Sequence, residues 1–240
     1  MQKEAYAKCA ELLKKAEVLT ERDGAGRAVT HNNWACLMRQ QGKLNVALAH
    51  LRKALALEES LPKEKAAAGA TTSTPSSTIA DTHLNICAVL SQLHRHTDAL
   101  VHAKSALDLL QEEVFGGLSE RAAKAPGGLV QAARMAGVTA DRVASLCIAY
   151  HNFGVECEFE RTFTPALQAY TKGFELAKAF LGAEHGVTVA IQESQVAAAK
   201  TIKLEAIKAK KELAAKEAAA ASAAVAAIGG GEGGGGGGKK

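Results

Sequence analysis

Apolar residues recur three and four positions apart along most of this chain, the spacing that gives a helix a single buried stripe. From residue 4 to 20 the stripe is Tyr6, Cys9, Leu12, Leu13, Ala16 and Leu19, which predicts one amphipathic helix. Between His31 and Glu59 the pattern predicts two helices joined by a turn at Gln41-Gly42-Lys43. Small residues (Ala35, Ala47, Ala54) fall where the two helices would touch, and Trp34, Met38, Leu44, Leu51 and Leu55 fill around them. Small-against-large spacing lets helix axes approach to about 8–10 Å.

The same grammar returns twice. Residues 81–111 carry it through Ile86, Leu90, Leu93, Ala99, Ala103, Ala106 and Leu107, with Asp81 or Thr82 as N-cap. Residues 149–179 carry it through Tyr150, Phe153, Gly154, Cys157, Phe163, Ala166, Tyr170 and Phe174. Gly154 takes the place of Ala35 and Cys87, and Gly173 that of Ala54 and Ala106, so each position demands something small. The N-terminal helix matches the second half of a unit: Cys9, Leu13, Ala16 and Leu19 fall where Ala47, Leu51, Ala54 and Leu57 fall later. Either the chain begins partway through a unit, as a fragment would, or this helix caps the stack as an N-terminal half-repeat, with Asp23-Gly24-Ala25-Gly26 as the turn that follows.

Two insertions separate the units. Residues 62–79 are rich in Ser, Thr, Gly and Pro and read as a solvated linker. Residues 112–142 are broken by Gly116-Gly117 and Pro126-Gly127-Gly128, leaving room for one or two short helices, with Val130 to Met135 covering the neighbouring units. Leu181 to Gly186 closes the last unit, so the repeat domain spans 1–185. Residues 186–228 then predict one long helix rich in Ala, Lys and Glu, about 60 Å long at 1.5 Å per residue. Its apolar positions (Val189, Ile191, Val196, Ala198, Ile202) fade to alanine after Leu213, so its first turns are expected to cap the stack and the rest to project. The glycine-rich residues 229–240 read as a disordered tail.

Composition sharpens this picture. Of the 240 residues 48% are hydrophobic but only 4% aromatic, which suits close-packed helices better than a β-sandwich. A formal charge of +4 lacks the basic footprint of a nucleic-acid binder. Lys200 to Glu217 holds six lysines against three glutamates, a mild bias that suits a solvated helix or an acidic partner. The five cysteines (Cys9, Cys36, Cys87, Cys147, Cys157) form no CxxC pair, and four lie at helix packing positions, as expected of buried thiols in a reducing, intracellular compartment. The chain opens on Gln2-Lys3-Glu4 with no signal-peptide core, and no apolar run approaches the roughly 20 residues of a membrane span. A soluble cytoplasmic protein with no membrane contact is expected.

Candidate chemistry is sparse. Gly24-Ala25-Gly26 has no following GK[ST] to make a phosphate loop. His83 and Cys87 stand four apart, a metal-ligand spacing, but no second pair completes a tetrahedron and both align with packing positions. His94 and His96 flank Arg95 in a turn. Without a nucleophile elbow or dinucleotide fingerprint, the expectation is a non-enzyme with no catalytic residue, metal, cofactor or small-molecule substrate.

The positions Ala35, Gly42, Ala47, Leu51 and Ala54, with Ala99 and Ala106, then Gly154, Ala166 and Tyr170, resemble the tetratricopeptide repeat (TPR) family over roughly residues 5–185. The resemblance implies an all-α, TPR-like helical-hairpin superhelix of about three repeats plus the half-repeat, followed by the long helix. The stretch LGAEHGVTVA also resembles the ending of kinesin-light-chain-like repeats, with Gly186 replacing a proline. The second and third units look like TPR proteins of ciliated and flagellated protists. That likeness implies a cilium or flagellum axoneme location and axonemal or microtubule-associated protein partners.

In TPRs the first helix of each unit lines a concave groove. Carried over by alignment, the groove row is Asn33, Cys36, Arg39 and Gln40, then Asn85, Ala88, Ser91 and Gln92, then Asn152, Val155, Glu158 and Phe159. Of these, Asn33, Arg39, Gln40, Asn85, Gln92, Asn152 and Glu158 are the partner-binding candidates. Asparagine recurs at one place (Asn33, Asn85, Asn152), where its amide can pair with an extended backbone or simply face solvent. Chaperone-binding members hold a carboxylate with lysines, whereas Asn32, Leu84 and His151 stand at those places here. Two roles stay open: a structural subunit of a large assembly, or an adaptor that grips a peptide or a partner helix.

Overall fold

In the computed structural model, residues 2–61, 75–116, 118 and 128–229 are described, and their regular secondary structure is entirely α-helical. The helices are α1 (Gln2–Leu19), α2 (Gly24–Gln40), α3 (Leu44–Ser60), α4 (Pro75–Gln92), α5 (His96–Phe115), α6 (Gly128–Met135), α7 (Ala140–Phe159), α8 (Phe163–Phe180) and α9 (Gly186–Gly229). The chain forms two compact units, Met1–Val196 and Ala197–Lys240. The interiors of both insertions and the tail residues 230–240, read above as linker and disordered sequence, lie largely outside the described residues.

The first unit is a stack of three helical hairpins, α2/α3, α4/α5 and α7/α8, with α1 packed on α2. The second helix of each hairpin leans on the first helix of the next, α3 on α4 and α5 on α7. Each hairpin turns the same way. Gly42 (φ 72°), His94 (φ 56°) and Arg161 (φ 59°) hold the left-handed conformation at equivalent places. One residue later the backbone N–H reaches back to an orphan carbonyl: Lys43 to Met38 (2.9 Å), Arg95 to Leu90 (2.9 Å), Thr162 to Cys157 (2.8 Å). This helix-ending motif leaves no freedom in how the next helix departs.

The first helix of every hairpin starts earlier than its apolar stripe predicts. Gly24-Ala25-Gly26, expected as a turn, forms the first helical turn of α2, with Asp23 at its N-cap. Ala28 and Thr30 are buried there, and a side chain on Gly26 would collide with Asp23 and Thr20. Pro75 opens α4, where its missing N–H leaves nothing unpaired. Thr139 caps α7, accepting from the Arg142 backbone N–H at 3.3 Å, and Val143, Leu146 and Cys147 bury its first turns. Parts of both expected insertions therefore belong to helices. Within the second, α6 packs across α5 and α8, with Ala133 fully buried and Arg134 donating to the Ala179 carbonyl at 3.0 Å.

Two apolar stripes are covered differently from expectation. On α1 only Leu13 is buried, while Cys9, Leu12, Val18 and Leu19 face solvent. On α9, Val189 and Val196 are exposed, whereas Ile191 and Ala198 of the expected stripe are buried together with Thr188. Polar contacts lie beside them: Ser194 meets His151 Nε2 at 3.0 Å and Gln195 donates to Thr171 at 2.9 Å. Three cysteines rather than four fill packing positions, because Cys9 and Cys36 are both exposed.

The joints between hairpins are polar at their rims. Between the first two, Glu58 and Thr82 are buried, and Thr82 Oγ1 donates to Glu58 Oε1 at 3.0 Å. Asn32 donates to Thr82 Oγ1 at 2.8 Å. Between the next two, His96 Nδ1 pairs with the buried Glu156 at 2.9 Å and stacks on Phe159. Arg142 clamps Glu113 (2.6 and 2.8 Å) and Asp81 (3.1 Å), tying α7 to both helices of the preceding hairpin.

In the second unit, α9 continues through residue 229. Its lysines and the apolar Leu204, Ile207 and Leu213 are exposed. Among the described residues no helix is long and apolar enough to cross a membrane.

Candidate protein-interaction face

The first helices of the three hairpins, α2, α4 and α7, carry the residues that sequence reasoning assigned to a groove. Asn33, Cys36, Arg39, Gln40 and Gln92 are exposed, while Asn85, Asn152 and Glu158 are half-buried.

Two hollows gather part of this row. A narrow crevice of about 10 Å³ is lined by Ala35, Cys36, Arg39 and Leu51 of the first hairpin and Asn85 and Val89 of the second. Arg39 and Asn85 therefore border one opening although they lie on different helices. A wider cleft of about 300 Å³ runs between α1 and α2, lined by Cys9, Leu12, Leu13, Asn33, Cys36, Leu37 and Gln40. Its walls are three leucines and two thiols, with two carboxamides and no formal charge.

Gln92, Asn152 and Glu158 line neither hollow. Burial pushes the Glu158 carboxyl above the usual carboxylate range. Two of the three positions where a carboxylate clamp would need lysines are engaged inside the stack: Asn32 with Thr82, and His151 with Ser194. Along the C-terminal half of α5 a shallow hollow of about 380 Å³ is bordered by Asp108, Gln111, Glu112, Phe115 and Gly116.

The thiols divide into two classes. Burial raises Cys87 and Cys147 to about 12 and pushes Cys157 up as well, which makes them inert at neutral pH. Cys9 and Cys36 are exposed and share the α1/α2 cleft.

Sequence reasoning missed two groups. One is the buried Asn32–Glu58–Thr82 cluster, where burial pushes the Glu58 carboxyl up. The other is a pair of histidine contacts inside the first two hairpins, His31 with His50 and His83 with His102. Their signal was available. Each pair is 19 residues apart, and the two pairs are related by the step that takes Ala35 to Cys87.

No family model and no curated protein matches this chain. Solved structures do. One is similar at a TM-score of 0.54 and 14% identity over 78% of this chain: the crystal structure of BtubC (BKLC) from P. vanneervenii. The chain spans 61% of the length of that structure's chain. At this identity the likeness concerns the fold, an all-α stack of helical hairpins.

Proposed function

We propose that this chain is a non-catalytic protein–protein interaction scaffold of the TPR type, serving as a structural subunit of a larger assembly. The carrying observation is the apolar edge at its N-terminal end. Leu12 (65% exposed) borders the uncharged α1/α2 cleft, and Val18 (74%) and Leu19 (84%) stand in water on the same helix. Leaving three large aliphatic side chains exposed on one helix forfeits about 1.5–3 kcal/mol each of burial. A partner surface laid over them would recover part of that. The sequence likeness of the second and third units to TPR proteins of ciliated protists makes the axoneme, and axonemal or microtubule-associated subunits, the assembly to test first.

An adaptor role rests on a different observation. Asn33 and Gln40 bring two carboxamides to the rim of a leucine-lined cleft, which suits one extended segment with an apolar side chain between two backbone hydrogen bonds.

Crosslinking mass spectrometry on the native protein in its own cells separates the two. Crosslinks from Lys8, Lys14 and Lys15 and from the lysines between Lys200 and Lys216 to axonemal proteins support the structural subunit. Crosslinks confined to the cleft rim and reaching a freely exchanging client, with the α9 lysines unlinked, overturn it in favour of the adaptor.

A further inference from the structure

Two histidine pairs stand at equivalent places in consecutive hairpins. His31 on α2 faces His50 on α3 with 3.2 Å between Nδ1 atoms, and His83 on α4 faces His102 on α5 with 2.8 Å. The rings are tilted, with centroids 5.3 and 5.0 Å apart. In the third hairpin Tyr150 and Ala169 hold these positions, so the arrangement belongs to the first two alone.

Four imidazoles brought together as two matched pairs are more than packing requires. All four are half-buried, so each pair keeps one side open to water. An ion of the zinc class binds imidazole nitrogen at about 2.0–2.1 Å, and two such nitrogens at a tetrahedral angle lie about 3.3–3.4 Å apart. The His31–His50 pair stands at that separation already, and the His83–His102 pair reaches it by opening about half an ångström. Each pair bridges the two helices of one hairpin, so a bound ion would staple the hairpin shut. Among the described residues no third His, Cys, Asp or Glu completes either set, so each pair offers two protein ligands and leaves the remaining positions to water.

We propose that each histidine pair is a binding site for a divalent transition-metal ion of the zinc, nickel and copper class, held by two Nδ1 atoms and completed by water. Without metal, one ring donates its Nδ1–H and the other accepts. On binding, the donor ring changes tautomer from Nδ1–H to Nε2–H, both Nδ1 lone pairs turn to the ion, and no proton is released. Burial supports this chemistry, because it holds all four imidazoles below their ordinary value, His102 at about 4, and so in the neutral form that ligates.

The test is equilibrium dialysis of the untagged full chain against zinc chloride at pH 7.5. Two equivalents are expected for the wild type, one for His50→Gln or His102→Gln, and none for the double variant. Absence of saturable binding by the wild type, or two equivalents retained by the double variant, overturns the proposal. A second measurement needs no variant. Substoichiometric Cu²⁺ should broaden the ring resonances of His31, His50, His83 and His102 before those of His94 and His185. Broadening of His94 or His185 first overturns the assignment even if the variants fail to fold.

Discussion

Gly154 lies directly against the ring of Tyr170: a Cβ built on the glycine would stand 2.5 Å from Tyr170 Cε1. The two are the third version of one packing pair. Ala35 and Leu51 occupy these places in the first hairpin, Cys87 and Ala103 in the second, and all six residues are buried. Size is exchanged between partners, with the largest residue facing the smallest. Close-packed interiors require that reciprocity, because the space between two helices is nearly constant.

Gly154→Ala should therefore destabilise the chain by about 1–3 kcal/mol, the usual range for overpacking a filled core. Converting the pair to the first hairpin's version, Gly154→Ala with Tyr170→Leu, should return part of that loss. Urea unfolding of the two single variants and the double variant measures the coupling. Additive effects would mean the ring and the glycine do not constrain one another.

The three hairpin turns make a second prediction. Gly42 adopts its left-handed conformation without strain, whereas His94 and Arg161 carry a Cβ into the same region. His94→Gly should stabilise by about 0.5–1 kcal/mol, and Gly42→Ala should cost a similar amount. Thermal melts of the two variants should shift in opposite directions.

Two groups shifted by burial should set opposing pH dependences. His102 is held at about 4 by burial, then by the neighbouring charges of His83 and Arg52, against Asp98. A histidine with a depressed folded value binds fewer protons folded than unfolded. Its contribution is therefore full above about pH 6.5 and lost as the pH falls towards 4. Glu58 runs the other way. Burial raises it above 4.5, with Asp81 and Glu59 adding to the rise against the Thr82 hydrogen bond. Stability is then lost as the pH climbs through its folded value. Glu58→Gln should raise the melting temperature at pH 8 and do so less at pH 4, and an NMR titration should place the His102 midpoint near 4.

Thiol chemistry should follow burial. Maleimide applied to the folded chain at pH 7 should label Cys9 and Cys36 within minutes and leave Cys87, Cys147 and Cys157 protected until unfolding. Mass spectrometry of the digest reads this directly. Rapid labelling of Cys147 would show that α7 opens easily in solution.

The sequence by itself determined the all-helical hairpins and the small residues between them. Ala35, Ala47, Ala54, Cys87, Ala99, Ala106, Gly154 and Gly173 are all buried, as their spacing required. Those features are local: a stripe repeating at 3.6 residues and a turn residue between two stripes say which elements form. The tertiary structure decided what covers each stripe, because periodicity marks the apolar side of a helix without naming its neighbour. So most of the α1 stripe stands in water, Ser194 and Gln195 add polar contacts beside the buried residues of α9, and α2, α4 and α7 start ahead of their expected first residues. Alignment of the units proposes a groove row, but which of its members share a hollow it could not say. Arg39 and Asn85 border one crevice, a grouping that depends on how neighbouring helices stagger. The histidine pairs lie between these cases. Their spacing is written in the chain, but two rings meet only when a hairpin closes and brings positions 19 residues apart across the helix interface.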